Sequence, residues 1–375
     1  MAVKTDMSKA YDRIEWSFLE AVLRRLGFHE KWISWIMVCV TSVSYSFLVN
    51  GAPQGKVNTS CGLRQGDPMS PYLFILCAEV LSGLCSKAQE AGALPGIKVA
   101  HNCPPINHLL FADDTMFFTL SDQSSCSNLL AILARYERAS GQCISTSKLA
   151  ITFLSKTPLP AKNRVKLTLS IDKEGGIGKY LGLPEHFGRR KRNIFNSIID
   201  RIRQKVLSWS TRFLSGAGKE VLLKSILTAI PAYAMSCFRL PGSLCKQIQS
   251  ILTRFWWDSK PDVRKIWWVA WSKLTLPKSL GGLGFRDIEC YNQFLLAKIA
   301  WRLICDPRSL LVQTLLGKYC QDSSIRDVTC PSSASHGWRG ILWGRDLLEL
   351  GLGWSVEMEN RLIYGLNPGS LLPHL

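Results

Sequence analysis

The 375-residue sequence predicts an α+β fold, in which a small antiparallel sheet packs on helices. Two apolar runs, residues 106–112 and 115–120, are typical of the paired strands of a hairpin. A short strand near the N-terminus carries Asp6 near its end, and amphipathic helical patterns lie between these strands and after them. The order strand, helix, helix, hairpin, helix is an α+β pattern.

Three of the helices predicted in the first 150 residues have both a start signal and a glycine stop. The start signals are Ser17 with Glu20 as a capping box, Ser70 with Pro71 as N-cap and first helical residue, and Ser124 or Ser125. The stops are Gly27, Gly92 and Gly141. Apolar spacing in the third helix predicts that Leu129, Leu133 and Tyr136 are buried.

Residues 32–55 contain no charged side chain, and this stretch is long enough to span a bilayer. Its serines, its proline and the pair Asn50-Gly51 argue against a span. We expect a helix at 32–40, a strand at 45–49 and a turn at Asn50-Gly51. No membrane partner is expected.

The net charge of +18 is distributed unevenly. Residues 1–120 carry ten basic and ten acidic side chains, so residues 121–375 hold the whole excess, 36 basic against 18 acidic. A basic second part suits a phosphate backbone. The 13 cysteines form no Cys-x-x-Cys pair, and we see no signal peptide, so a reducing compartment, nucleus or cytoplasm, is expected.

Asp113 and Asp114 are predicted at the turn of the hairpin. Tight hairpin turns favour Asn-Gly or Asp-Gly, and two adjacent carboxylates repel each other. A bound cation would relieve the repulsion, and hard oxygen ligands suit Mg²⁺ or Mn²⁺. A solvated acidic turn explains the pair equally well when it is taken alone.

Two further segments favour the metal-site interpretation, namely Ala-Val-Lys-Thr-Asp-Met-Ser-Lys-Ala-Tyr-Asp at 2–12 and Gly-Leu-Arg-Gln-Gly-Asp-Pro-Met-Ser-Pro-Tyr-Leu-Phe at 62–74. Together with Phe-Ala-Asp-Asp at 111–114, they resemble the three palm motifs of reverse transcriptases from LINE-type (non-LTR) retrotransposons, in particular plant elements. The resemblance continues through 140–148 and Tyr-Leu-Gly-Leu-Pro at 180–184, to about Trp343.

The resemblance implies a right-hand polymerase palm followed by a mostly helical thumb and C-terminal region. The expected domains are a palm at 1–155, a primer-grip-like connection at 156–185, a basic helical thumb at 186–255, a Trp-rich helical region at 256–353 and a disordered tail at 354–375. The implied activity is RNA-directed DNA polymerisation, with an RNA template, a DNA primer and deoxynucleoside triphosphates as partners.

The family also implies roles for individual residues. Asp6, Asp113 and Asp114 would be the catalytic carboxylates and, with the Met7 carbonyl, would hold two Mg²⁺ or Mn²⁺ ions. Tyr11, Arg64, Gln65, Gly66 and Lys148 would contact the nucleotide, Tyr11 by excluding a 2′-hydroxyl and Lys148 by assisting pyrophosphate. Ser145 and Leu149 depart from the family pattern around Lys148. Asp12 and Asp67 are expected to be local caps or turn formers.

Two features of the second half have competing interpretations. Residues 186–224 carry ten basic and two acidic side chains, which favours nucleic-acid contact over a solvated helix face. The expected contacts are Arg189, Arg190, Lys191, Arg192, Arg201, Arg203 and Lys205. Six tryptophans, at 256, 257, 267, 268, 271 and 301, are expected to pack in a core rather than to stack on bases.

Two alternatives stay open at this point. One is a catalytically inactive remnant that only binds nucleic acid. It is favoured because the family's fingers and endonuclease regions, which lie upstream of the first palm motif, are absent from this sequence. The other is a maturase-like splicing factor built on the same palm, against which Phe111 and the tryptophans argue.

Overall fold

The computed structural model describes residues 1–145, 148–175, 179–184, 195–208, 214–258, 265–321, 323–357 and 361–366. The chain divides into two compact units. Unit 1 comprises 1–99 and 104–181, and unit 2 comprises 100–103 and 182–375. The border lies inside the predicted connection 156–185, and the predicted α+β class is confirmed.

Unit 1 contains a small antiparallel sheet and five helices in its described part. Its strands are β1 (Ala2–Asp6), β2 (Ser44–Val49), β3 (Ala52–Asn58), β4 (His108–Phe111), β5 (Asp114–Phe118), β6 (Ala150–Thr152) and β7 (Lys179–Tyr180). Its helices are α1 (Trp16–Arg25), α2 (Glu30–Thr41), α3 (Ser70–Glu90), α4 (Gln123–Ser140) and α5 (Leu159–Leu169).

The main sheet has the strand order β4-β5-β1-β6, and its neighbouring strands are antiparallel. Burial alternates along β1 and β5, because successive side chains of a strand point to opposite faces. Val3 and Phe117 are register partners and are buried on the helix-covered face. The side chains of the other face, Asp6 and Asp114 among them, are more accessible.

The sequence predicts four of the five helices in the described part of unit 1, α1 to α4, with starts that differ by one or more residues, and it does not predict α5. The predicted capping box is wrong, because α1 starts at Trp16 with Glu15 as N-cap and has no side-chain cap. Met69, not Ser70, is the N-cap of α3, and Asp122 caps α4 by accepting a hydrogen bond from the Ser125 N–H. The predicted burial of Leu129, Leu133 and Tyr136 is confirmed.

The uncharged stretch 32–55 forms most of α2 and the exposed hairpin β2–β3, in agreement with the predicted helix, strand and turn. Asn50 and Gly51 both have positive φ, as a two-residue turn of this hairpin type requires. In the described part of the chain, α3 is the one helix that is long and apolar enough to cross a membrane. One side of α3 packs in the core of unit 1 through Leu73, Cys77 and Leu81.

Unit 2 is mostly helical in its described part. Its helices are α6 (Asn196–Ser208), α7 (Gly216–Leu222), α8 (Ala232–Cys237), α9 (Gly242–Trp257), α10 (Trp271–Leu274), α11 (Ile288–Cys305), α12 (Leu310–Tyr319) and α13 (His336–Glu349), with a π-helical turn at Leu223–Leu227 and a 3₁₀ turn at Lys278–Leu280. Its strands are β8 (Leu183–Pro184), β9 (Leu352–Glu357) and β10 (Arg361–Leu366).

One buried polar side chain ties the helices of unit 2 together. Asn292, on α11, is fully buried. Its amide oxygen accepts a hydrogen bond from the Leu240 N–H at 2.9 Å, and its amide nitrogen donates to the carbonyls of Met235 and Phe238 at 2.7 and 3.0 Å. These bonds satisfy backbone groups around the end of α8 that water cannot reach.

The tryptophans of unit 2 divide into two groups. Trp256, Trp257, Trp271 and Trp301 pack in or against its apolar clusters, as expected. Trp267 and Trp268 do not, since they are 50% and 79% exposed. In the region expected to be a disordered tail, β9 and β10 pair as an antiparallel hairpin. Residues 367–375 lie outside the described residues.

Candidate active site

The site begins with two aspartates at the ends of adjacent strands. Asp6 is the last residue of β1 and Asp114 the first of β5, and the two are register partners in the antiparallel ladder. Register partners point to the same face, so both carboxylates lie on the open face of the sheet. Two like charges in this arrangement repel each other.

The hairpin turn differs by one residue from the prediction. Phe111 pairs with Asp114, so Ala112 and Asp113 form the two-residue turn and Asp114 belongs to β5. Ala112 has a φ of 50°. A positive φ is unfavourable for alanine, so the turn beside the carboxylates is held in a strained conformation.

Lys148 lies beside Asp6, although 142 positions separate them in sequence. Its Nζ donates to Asp6 Oδ1 at 3.0 Å and to Oδ2 at 2.9 Å. The backbone creates this contact, because the Ser145 N–H donates to the Asp6 carbonyl and Met7 forms a bridge with Ile144. The Lys148 ammonium therefore neutralises one of the two opposed carboxylates.

A cavity of about 640 Å³ is lined by Asp6, Asp113 and Lys148, whereas Asp114 does not line it. It brings together seven of the predicted site residues: Asp6, Met7, Tyr11, Gln65, Gly66, Asp113 and Lys148. Arg64 lies elsewhere, in the lining of another cavity of about 420 Å³ that shares Gln65 and Asp67 with the first. The three sequence motifs thus converge on one concave surface.

The Tyr11 ring stacks on Phe74 of α3, with 5.0 Å between ring centroids and 15° between planes. The Gln65 side chain is linked to the first motif, since its amide nitrogen donates to Asp12 Oδ1 at 3.2 Å. Asp12, expected to be only a local turn former, therefore also contacts the second motif. Asp67 behaves as expected, because its Oδ1 accepts a hydrogen bond from the Met69 N–H at 2.7 Å.

Sequence reasoning missed Lys9 and Pro71, which also line the cavity. Lys9 lies in the turn after β1, with a φ of 50°. Its position three residues after Asp6 is the signal that could have identified it. It adds a second ammonium group to a cavity whose carboxylates are already close together.

The electrostatics follow from this crowding. Partial burial raises the pKa of Asp114, and the neighbouring Asp113 and Asp6 raise it further, whereas Lys4 and Lys148 oppose the change. The hydrogen bond to Asp6 raises the pKa of Lys148. Burial raises the pKa of Tyr11, and the Asp113 charge adds to this effect.

The donor set at the two strand ends consists of oxygen atoms, which are the ligands that Mg²⁺ and Mn²⁺ prefer. In the described part of the chain, no group of three or more His, Cys, Asp or Glu side chains is arranged to hold a metal ion. The ammonium of Lys148 supplies the positive charge beside Asp6 instead. The residues therefore fit a divalent ion in their chemistry, and Lys148 would compete with it.

The predicted nucleic-acid contacts are partly described. Arg189, Arg190, Lys191 and Arg192 lie outside the described residues. Arg201, Arg203 and Lys205 are exposed on α6, while Ile198 and Ile202 of the same helix are buried in the core of unit 2. At about 3.6 residues per turn, Arg203 lies on a different side of α6 from Arg201 and Lys205. The contact stays a prediction for these three residues.

Comparison with known proteins adds independent evidence. Residues 1–184 match the family model described as reverse transcriptase (RNA-dependent DNA polymerase). An uncharacterized mitochondrial protein of Arabidopsis thaliana is 49% identical over 125 residues, which are 33% of this chain and 81% of the relative. A second uncharacterized mitochondrial protein of this plant is 75% identical over 69 residues, 18% of this chain and 57% of the relative.

A third relative is the retrovirus-related Pol polyprotein from type-1 retrotransposable element R2 of Popillia japonica. It is 30% identical over 190 residues, which are 48% of this chain and 30% of the polyprotein. The chain thus spans less than two thirds of this relative and of the second Arabidopsis protein. From the family match, these relatives and the converging motifs, residues 1–184 of the chain belong to the reverse transcriptase (RNA-dependent DNA polymerase) family, of the non-LTR type.

Proposed function

We propose that this chain provides the catalytic part of an RNA-directed DNA polymerase, which extends a DNA primer by copying an RNA template. The observation that carries the proposal is the register pairing of Asp6 with Asp114, with Asp113 in the adjoining turn. Three carboxylates at the ends of two neighbouring strands, beside a cavity lined by the first two motifs, suit phosphoryl transfer.

Nucleotidyl transfer joins a primer 3′-hydroxyl to the α-phosphate of a nucleoside triphosphate and releases pyrophosphate. It requires in-line geometry and neutralisation of negative charge more than covalent chemistry by the protein. Two Mg²⁺ or Mn²⁺ ions, held by Asp6, Asp113, Asp114 and the Met7 carbonyl, would supply Lewis acidity and charge neutralisation when bound. The remaining work falls to the side chains around the cavity.

Tyr11 forms a fixed wall of the cavity, because its ring is stacked on Phe74. We assign to it the exclusion of a 2′-hydroxyl, which would select deoxynucleotides. Gln65, held by Asp12, and the adjoining Gly66 would contact the nucleotide and the template, and Arg64 would contact phosphate. Lys148 would direct its positive charge to the leaving pyrophosphate once it releases Asp6.

The exposed basic side chains of α6, Arg201, Arg203 and Lys205, would hold the backbone of the template–primer duplex, together with Arg189, Arg190, Lys191 and Arg192. We further propose that the chain derives from a plant LINE-type element and corresponds to part of a longer Pol polyprotein. The Arabidopsis relatives and the partial coverage of the R2 polyprotein support this origin.

The test is primer extension on a homopolymer RNA template with Mg²⁺ or Mn²⁺. We expect at most weak extension by the wild-type chain and a loss of at least about 100-fold in Asp113→Asn, since removing a transition-state electrostatic group typically costs that much. Asp172→Asn is the matched control, because Asp172 is an exposed aspartate of unit 1 that does not line the cavity.

One result would contradict the proposal, namely extension that survives Asp113→Asn at the wild-type rate, which would place the chemistry elsewhere or in a contaminant. Ribonucleotide incorporation by Tyr11→Ala, with no such incorporation by Tyr11→Phe, would support the role of the ring separately.

A further inference from the structure

Unit 2 contains a cavity of about 600 Å³ whose lining residues all belong to unit 2. It lies between α13, the segment 326–330 and Arg239, which precedes α9. Four arginines line it: Arg239, Arg326, Arg339 and Arg345. This density of guanidinium groups around one concavity indicates an anion-binding site.

Arg345 has a structural role in this cavity. It is 17% exposed, and its Nη1 donates to the carbonyls of Ile325, Arg326 and Val328 at 3.2, 3.3 and 2.8 Å. Its charge is balanced by Asp346 and Glu349, at 3.1 and 3.3 Å. Arg345 therefore fixes the wall formed by the segment 326–330 and leaves no positive charge for a ligand.

Arg239 and Arg339 differ from Arg345, because both are exposed and neither forms an ion pair among the described residues. The Arg239 guanidinium lies over the Trp343 ring, with its Cζ 4.2 Å from the ring centroid. Arg339 is oriented by an Nη2 hydrogen bond to the Ser332 carbonyl. Each guanidinium is thus held in place, and each keeps N–H donors beyond those in these contacts.

The charge balance favours a phosphate ligand. The four lining arginines face three lining carboxylates, Asp327, Asp346 and Glu349, which leaves an excess of one positive charge. Unit 2 as a whole carries 27 basic and 14 acidic side chains, an excess of 13. A free phosphate ion would need only the two arginines, Arg239 and Arg339. The net positive charge of unit 2 also attracts the neighbouring phosphates of a nucleic-acid chain, which favours a phosphodiester.

We propose that this cavity binds a phosphodiester group of single-stranded nucleic acid, with Arg239 and Arg339 as the phosphate ligands and Trp343 as the platform that orients Arg239. The planar guanidinium fork matches phosphate oxygens in two-point contact. The proposal extends the proposed function, because it adds a second contact for template or primer. It concerns binding alone, so it can fail while the polymerase assignment stands.

The test is fluorescence anisotropy with the full chain and a labelled single-stranded RNA of 20 nucleotides, without nucleotides or divalent ions. The double variant Arg239→Gln/Arg339→Gln should bind at least about tenfold more weakly, as expected for the loss of two charge-assisted contacts. Its slope of log Kd against log salt should fall by about 1.4, the value for two phosphates of a single strand. Arg239→Lys should be impaired as well, since lysine keeps the charge but loses the fork.

Lys298→Gln/Arg308→Gln is the matched control. It removes the same charge from exposed positions of unit 2 outside the cavity, and less than a twofold change is expected. Equal losses in both double variants would show only diffuse attraction and overturn the site. Inorganic phosphate that displaces the labelled RNA as well as unlabelled RNA does, at equal total charge, would assign the cavity to free phosphate. The same result with polyglutamate would assign it to an acidic peptide. As a folding control, each variant should have the circular dichroism spectrum and the unfolding midpoint of the wild type.

Discussion

Asp114→Asn should stabilise unit 1 in the absence of divalent ions, even though it removes a proposed catalytic group. Asp114 faces Asp6 directly across the β1–β5 ladder, and Asp113 adjoins it in the turn. Asparagine keeps the shape of the side chain and removes one of the charges. The change therefore tests the repulsion without a large change in packing.

The magnitude follows from the geometry. Opposed cross-strand side chains have Cβ atoms about 5 Å apart, and two unscreened charges at that distance would repel by about 3 kcal/mol at an effective dielectric constant near 20. Lys148 lies 2.9 Å from Asp6 and neutralises most of this interaction, and solvent screens much of the remainder. Measured cross-strand effects of about 0.2–1 kcal/mol fit this expectation, so we expect a gain near 0.5 kcal/mol.

The gain should depend on pH in a defined direction. Because the pKa of Asp114 is raised on folding, the folded state binds the proton more tightly than the unfolded state does. The destabilisation by Asp114 is fully present above the folded-state pKa and disappears as the pH falls toward the unfolded value near 3.9. The advantage of Asp114→Asn over the wild type should therefore be present at pH 7 and lost near pH 4.

The assay is urea unfolding followed by circular dichroism at both pH values, with Asp172→Asn as the control. If Asp172→Asn shifts the unfolding midpoint as much as Asp114→Asn does, the shift is caused by the change in net charge and not by relief of the repulsion between Asp6 and Asp114. A variant less stable than the wild type at pH 7 without divalent ions would refute the reasoning. Added Mg²⁺ should stabilise the wild type more than the variant, since binding to the folded state adds stability.

Three further outcomes are expected. Lys148→Met should raise the Mn²⁺ affinity measured by calorimetry, because it removes the ammonium that holds both oxygens of Asp6; unchanged affinity would show that the two cations do not compete. Ala112→Val should destabilise unit 1 by more than about 1 kcal/mol in urea, since a β-branched residue tolerates positive φ poorly, and Ala112→Gly should be close to neutral. Asn292→Ala should cost unit 2 about 3 kcal/mol, because it leaves three backbone groups at the end of α8 without their buried hydrogen bonds, whereas a loss below about 1 kcal/mol would mean that water replaces them.

Features that depend on local sequence were predictable. The strands around Asp113 and the helix containing Leu129 and Leu133 follow from side-chain periodicity alone. The exact turn did not follow, because the pairing of Phe111 with Asp114 is set by the register of the whole ladder and not by the preferences of the turn residues. The observed register differs from the predicted one by one residue, and this difference places Asp114 in β5 instead of the turn.

Features that depend on distant parts of the chain were not predictable from these patterns. The helix start at Trp16 is an example, because the preceding Glu15 N–H is bound to the carbonyl of Ser140, which fixes the chain ahead of the predicted capping box. The contact between Lys148 and Asp6 is another, since the family resemblance implied Lys148 but gave it a different partner. Exposure of Trp267 likewise depends on which neighbours the folded unit 2 provides.

The two faces of β1 and β5 explain how unit 1 keeps like charges together before any cation binds. On the core face, Val3 and Phe117 are register partners and are almost fully buried, and burial of each is worth about 1.5–3 kcal/mol. On the open face, the same pairing opposes Asp6 and Asp114 at a cost near 0.5 kcal/mol. Because the gain on one face exceeds the cost on the other, packing fixes the positions of the carboxylates. The arrangement of Asp6 and Asp114 is therefore a consequence of strand register.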